Sequence, residues 1–203
     1  MLIIGHRGAS GLAPENTVSS FKKAQELGVN MVEMDLRMDR HGRIVVAHDE
    51  DFGREYEQAP NLQEALAEVE VAVNLEIKES GFEAKLLEMI KGFPFEVLIS
   101  SFEPSILRKI RILDRKAKLG LIVGPKLKWF YFLVPMVLFF KLSLGLAAVN
   151  PYYSLLTKHK VWLLKKLGVK VLTWVVNDPD EFKQVKGLGV DGVFTDRPDL
   201  IKR

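Results

Sequence analysis

Along this chain the residues suited to chemistry gather at the ends of apolar runs. The first run, Leu2–Gly5, ends in His6 and Arg7, with Gly5 and Gly8 around them. Glu33 and Asp35 sit two apart within MVEMDL (31–36), so in an extended strand both side chains share one face. Glu76 and Lys78 repeat that spacing at the end of VAVNLEI (71–77), and RIVVAH ends in His48-Asp49. Three carboxylates converging from neighbouring strands repel one another unless a cation lies among them. Oxygen-only ligation selects a hard divalent ion, Mg²⁺ or Ca²⁺, over zinc. Two histidines on separate elements can take and return a proton near neutral pH, while Arg7 and Lys78 offer positive charge to a phosphate. Together these groups describe metal-assisted hydrolysis of a phosphoryl ester.

Groups of this kind need elements that bring the strand ends together. Apolar strand candidates recur at 2–5, 31–36, 71–77, 96–101, 118–123, 146–150, 170–176 and 192–195. Amphipathic helix candidates lie between them at 17–27, 62–69, 82–91, 105–114, 157–167 and 179–187, with a short piece from Pro198. Eight strands alternating with helices predict a compact (β/α)8 TIM barrel, whose active-site groups project from the C-terminal ends of strands. One element breaks the rhythm. Only Asp39–Arg43 separates strand two from RIVVAH, too short for a parallel crossover, so 43–48 is expected to fold back as a β-hairpin excursion. No linker or repeat divides residues 1–203, and one domain is expected.

Composition narrows the function classes. The chain has 203 residues, 48 % hydrophobic and 27 % charged, without cysteine, which excludes disulfides and thiolate metal sites. A net charge of +3, spread along the chain, is too diffuse for nucleic acid but suits an anionic small substrate or an acidic membrane surface. No signal-peptide pattern opens the chain, and a cytoplasmic protein is expected. The longest apolar run, Trp129–Phe140, is shorter than the roughly 20 residues of a spanning helix and is broken by Pro135.

HRGASGLAPENT, VEMDLRMDRHGRIVVAHDE, NLEIKE, SSFEP, NPYYSLLT, WVVNDPDE and GVDGVFTDRPDL, in this order from residue 3 to about 200, resemble the successive blocks of the glycerophosphodiester phosphodiesterase family. The resemblance implies a phosphatidylinositol-phospholipase-C-like TIM barrel, a divalent metal, and hydrolysis of a phosphodiester to glycerol 3-phosphate and an alcohol. It implies His6 and His48 as the acid/base pair, Arg7 at the phosphate, and Glu33, Asp35 and Glu76 as metal ligands. Lys78 would support the phosphate, Asn16 would prop the metal or the first loop, and Trp174 would pack against the glycerol.

Two departures from the family pattern stand out. Only 27 residues (49–75) separate His48 from Glu76, so the cap that relatives carry there is expected to be missing or vestigial. The Trp129–Phe140 run, flanked by Lys126, Lys128 and Lys141, reads either as a helix packed on the barrel, as a dimer contact, or as an apolar platform touching a membrane or a lysolipid chain. The platform reading adds two alternatives: a lysophospholipase-D-like activity at a membrane surface, and a non-enzymatic membrane or interaction protein on an inactive barrel. The remaining polar groups read as structural. His41 and His159 are solvated, Thr17 is an N-cap, and Asp196 and Arg197 close the barrel or cap the last helix.

Overall fold

Nine strands alternate with seven helices among residues 1–49, 59–125 and 128–201, which this computed structural model describes, the side chains of 128–131 excepted. The strands are β1 (Leu2–Gly5), β2 (Met31–Met38), β3 (Ile44–Val46), β4 (Ala72–Ile77), β5 (Val97–Ser101), β6 (Lys118–Val123), β7 (Ala148–Pro151), β8 (Lys170–Thr173) and β9 (Gly192–Thr195). The helices are α1 (Val18–Glu26), α2 (Leu62–Ala67), α3 (Glu83–Met89), α4 (Pro104–Leu113), α5 (Lys128–Leu144), α6 (Lys158–Lys166) and α7 (Pro179–Leu188). Because β1 pairs in parallel with both β9 and β2, the eight parallel strands close on themselves. The TIM barrel is therefore as expected. β3 lies outside the ring, antiparallel to β2 through Leu36↔Val46 and Met38↔Ile44, and forms the hairpin excursion.

Strand parity builds two cores. Outward-facing residues such as Val32, Met34, Leu75 and Ile99 pack under the helices with Phe21, Leu86 and Leu107. Inward-facing Ile4, Met31, Leu98, Ala148, Leu172 and Phe194 fill the lower lumen with side chains. Above that plug the inward positions turn polar, and the chemistry begins there.

Local signals set the helix starts. Thr17 forms a capping box with Ser20, Asn61 one with Glu64, and Asp178 accepts from the Asp180 and Glu181 amides ahead of Pro179. Two expectations fail. The piece from Pro198 is a turn, held by Leu200 N–H to Arg197 O and Ile201 N–H to Pro198 O, too short to be a helix. Pro135 does not break its segment, since α5 runs through it from 128 to 144. Burial of Leu133, Val137 and Leu144 on the barrel offsets the roughly 3 kcal/mol an internal proline costs. The shortened cap falls almost wholly on 50–58, outside the described residues.

The turn after β1 depends on close approach. Gly8 has φ +84°, and a Cβ there would come within 2.3 Å of Ser20 Oγ and 2.6 Å of the Ser20 carbonyl carbon. Gly8→Ala is expected to lose about 2–4 kcal/mol in urea unfolding, strain and overpacking together. Gly42→Ala has a similar φ of +74° but open space at its Cβ, and should lose only about 1 kcal/mol. Equal losses would show that the contact with α1 does not constrain this turn.

Candidate active site

The first-strand end, the hairpin and β4 meet at the C-terminal mouth of the barrel. Asp35 and Glu76 are register partners across β2 and β4, and Glu33 lies one inward step below, beside Asn74. All three acids are buried, and one oxygen from each lies within 4.8 Å of the others. Lys78 Nζ pairs with Asp35 Oδ1 at 2.8 Å and also with Glu76. Arg7 Nε lies 3.1 Å from Asp35 Oδ2 while its Nη1 is held by Glu15 at 2.8 Å. Asn16 Nδ2 donates to Asp35 Oδ2 at 2.9 Å and its Oδ1 accepts from the Asp35 amide at 3.2 Å. Glu33 is served least. The Arg7 amide donates to its Oε2 at 2.7 Å, and its buried Oε1 has no hydrogen-bond partner.

The charge pattern follows from this geometry. Burial, with the neighbouring Asp35 and Glu76 charges, pushes Glu33 well above the usual carboxylate range. Burial also raises Glu76, partly opposed by Lys78. Asp35 goes the other way, because Lys78, Arg7 and Asn16 outweigh its burial. Three acids thus share two cations, and the orphaned Glu33 oxygen marks where positive charge is lacking. An all-carboxylate set in which Glu33 Oε1 has neither a hydrogen bond nor a cation, while Asp35 Oδ1 has only its ion pair with Lys78, fits a hard divalent ion.

Each histidine is oriented by a carboxylate. His6 Nδ1 meets Asp196 Oδ1 at 2.7 Å, and His48 Nδ1 meets Asp49 Oδ1 at 2.6 Å. Sequence reasoning assigned Asp196 a structural closing role; the structure corrects this, because closure of β9 on β1 carries it to His6 across 190 residues. Ser10 and Asn177 also donate to Asp196, and these bonds with His6 outweigh burial to hold its carboxyl at about 2. On the other side, Arg37 donates from Nε to the His48 carbonyl at 2.8 Å and pairs with Glu79 at 3.0 Å, which fixes the hairpin arm. Arg7 and Asn16 have left-handed backbones, φ +52° and +57°, a cost of about 1–2 kcal/mol each. The Arg7 carbonyl repays this by accepting from the Asn16 amide and from Ser20 Oγ.

A cavity of about 250 Å³ opens over these groups. His6, Arg7, Glu33, His48, Glu76 and Lys78 line it together with Phe102, Ile122, Trp174 and Phe194. Asp35 and Asn16 lie outside that lining. Trp174 is braced edge-on by Phe102 at 5.7 Å and by an Nε1 bond to the Asn150 carbonyl at 2.7 Å. Asn74 and Asn150, absent from the sequence expectation as site residues, also line it, and Asn74 Oδ1 and both side-chain ends of Asn150 are buried without partners. Asn74 lies two residues before Glu76, so strand parity could have found it.

The profile of the Glycerophosphoryl diester phosphodiesterase family matches residues 6–65 and 54–200. A glycerophosphodiester phosphodiesterase of Caldanaerobacter subterraneus is 30% identical, covering 98% of this chain and 96% of its own. A phosphodiesterase of Oleispira antarctica, solved in complex with the product sn-glycerol-3-phosphate, superposes with a TM-score of 0.81 at 26% identity, over 98% of this chain and 94% of that one. A human lysophospholipase D is 24% identical over 98% of this chain and 84% of its own.

Two measurements probe these electrostatics. Without divalent ions at neutral pH, Glu33→Gln is expected to melt no lower than the wild type, because it removes a carboxylate that burial disfavours, and to lack the rise in Tm expected of the wild type when a divalent ion is added. A lower apo Tm with the metal response intact would remove Glu33 from the ion site. For Asp196, a pKa depressed in the folded state contributes stability above its unfolded value that is lost as pH falls through the folded one. Its share should be constant above about pH 5 and disappear between about pH 4 and pH 2. Asp196→Asn should flatten that limb in a pH series of melting curves; an unchanged limb would sink the pairing with His6.

Proposed function

This chain belongs to the glycerophosphoryl diester phosphodiesterase family, and on that premise we propose how its barrel mouth hydrolyses glycerophosphodiesters to glycerol 3-phosphate and an alcohol. The observation that carries the reading is one cavity holding two carboxylate-oriented histidines beside a buried acidic triad.

Glu33, Asp35 and Glu76 would hold Mg²⁺ or Ca²⁺, and the bound ion would supply the charge neutralisation that an anionic phosphodiester needs at displacement. Arg7 and Lys78, both at the cavity wall, add fixed positive charge for the phosphate oxygens. An Nδ1–H donated to Asp196 or Asp49 leaves Nε2 of each imidazole free to exchange a proton with the substrate. One histidine takes the proton of the nucleophile and the other protonates the leaving alcohol oxygen. Attack by water gives glycerol 3-phosphate directly. Attack by the neighbouring glycerol hydroxyl instead expels the alcohol to give a cyclic glycerophosphate, which water then opens to glycerol 3-phosphate with the two histidines exchanging roles. Asn16 keeps Asp35 oriented. Trp174 packs against the glycerol, with Phe102 and Ile122 extending the same apolar wall. That wall favours a second reading in which lysophospholipids enter the same site and the reaction is of the lysophospholipase D type.

His6→Ala and His48→Ala should each lower turnover by roughly 10²–10⁴-fold with the fold retained. Release of glycerol 3-phosphate from glycerophosphocholine should stop in EDTA and return with Mg²⁺ or Ca²⁺. Wild-type rates in either histidine variant, or full activity in EDTA, would remove the mechanism. The same assay with lysophosphatidylcholine decides between the two substrate classes.

A further inference from the structure

The apolar run that the reaction leaves unused lies in α5, and the fold sorts its two sides. Leu133, Val137 and Leu144 are buried, whereas Phe132, Phe139 and Leu142 are exposed by 62 %, 61 % and 79 %. With exposed Pro135 they follow at intervals of three, four and three, one continuous helix face about 15 Å long.

Charge is not spread along the chain as the net value implied. Residues 104–170 hold fourteen Lys and Arg and one acid, Asp114, a local net of +13, while the rest of the chain carries −10. That segment spans α4, α5 and α6 with β6 and β7 between them, and Lys109, Lys118, Lys165 and Lys170 of it pair with Glu83, Glu96 and Asp191 from outside. Arg108, Arg115, Lys116, Lys158 and Lys166 are exposed, with no acidic partner among the described residues. Lys141 Nζ donates to the carbonyls of Leu146 and Gly168, tying α5 to the end of α6. Arg115 and exposed Ile112 border one surface depression with Ser143 and Leu144, tying α5 to α4. On α6 the exposed Trp162 stacks on His159 at 5.9 Å with Lys166 Nζ 5.8 Å from its ring. An apolar stripe is thus bordered on both flanks by unpaired cations.

We propose that this side of the barrel docks on an anionic lipid bilayer, with the α5 stripe in the interface and the flanking cations on headgroup phosphates. An amphipathic surface of this kind gains from apolar burial and from attraction to anionic lipid together, and a surface tryptophan among cations suits the headgroup level. A second copy of the chain does not suit the face, because it would set one group of unpaired cations against another. Among the described residues no helix is long and apolar enough to cross a membrane, so contact is along the surface. The strands and α5 lie side by side, and docking lays the barrel on its flank with Phe132 towards the mouth. This inference goes beyond the reaction and uses none of its residues.

The test is flotation of the full chain with vesicles of phosphatidylcholine alone and of phosphatidylcholine with phosphatidylglycerol. Binding is expected only to the anionic vesicles and should weaken from roughly 0.1 M to about 1 M salt. The double variant Phe139→Ser, Leu142→Ser should lower partitioning by about tenfold or more, and Lys158→Gln and Lys166→Gln by roughly fivefold each. All variants should hydrolyse a soluble diester at the wild-type rate, which separates failure of docking from failure of the catalytic reading. No binding to anionic vesicles would overturn the proposal, as would binding indifferent to both sets of variants. A concentration-dependent dimer in sedimentation velocity, abolished by the serine variant, would reassign the face to self-association and overturn it equally.

Discussion

Glu33, Asp35 and Glu76 bring three carboxylates within 4.8 Å inside a barrel, where like charges repel far more strongly than in water. Much of the surrounding architecture answers that repulsion. Lys78 bridges Asp35 and Glu76, Arg7 and Asn16 reach Asp35 as well through a loop with left-handed backbone, and the layer below is an apolar plug. The compensation stops short at Glu33. A site finished by its own side chains would be rigid and inert, whereas one left short of a cation is unstable alone and completed by binding.

Ring closure supplies the second constraint. Both proposed acid/base residues stand at strand ends, yet their carboxylate partners come by different routes. Asp49 is the next residue after His48, while Asp196 reaches His6 only because the last strand pairs with the first. Arg37 and Glu79 hold the hairpin arm between them, so the placement of His48 depends on β2 and on the turn after β4. The outer layer divides its labour as well. Residues 104–170, with α4–α6, carry nearly half of the cations and a single acid.

Much of the barrel was legible before any coordinates. Alternation of apolar runs with 3.6-residue patterns, and the short Asp39–Arg43 connection, lead to eight parallel strands and a hairpin. Parity alone put Glu33 with Asp35 and Glu76 with Lys78. The same parity would have exposed Asn74, and a count by segment would have exposed the clustering of charge at 104–170. Pro135 misled because a local propensity of about 3 kcal/mol is smaller than what packing on a barrel can return.

By itself the sequence determined the order of elements, the inward faces of the strands and the residue types at the mouth, because these follow from periodicity along the chain. Only the tertiary structure decided that Asp196 serves His6, that Glu33 keeps an orphaned oxygen, and which side of α5 stays in water. Those facts depend on distances between segments remote in sequence. No local pattern encodes such distances until the ring of strands closes and burial sets which charges must find a partner.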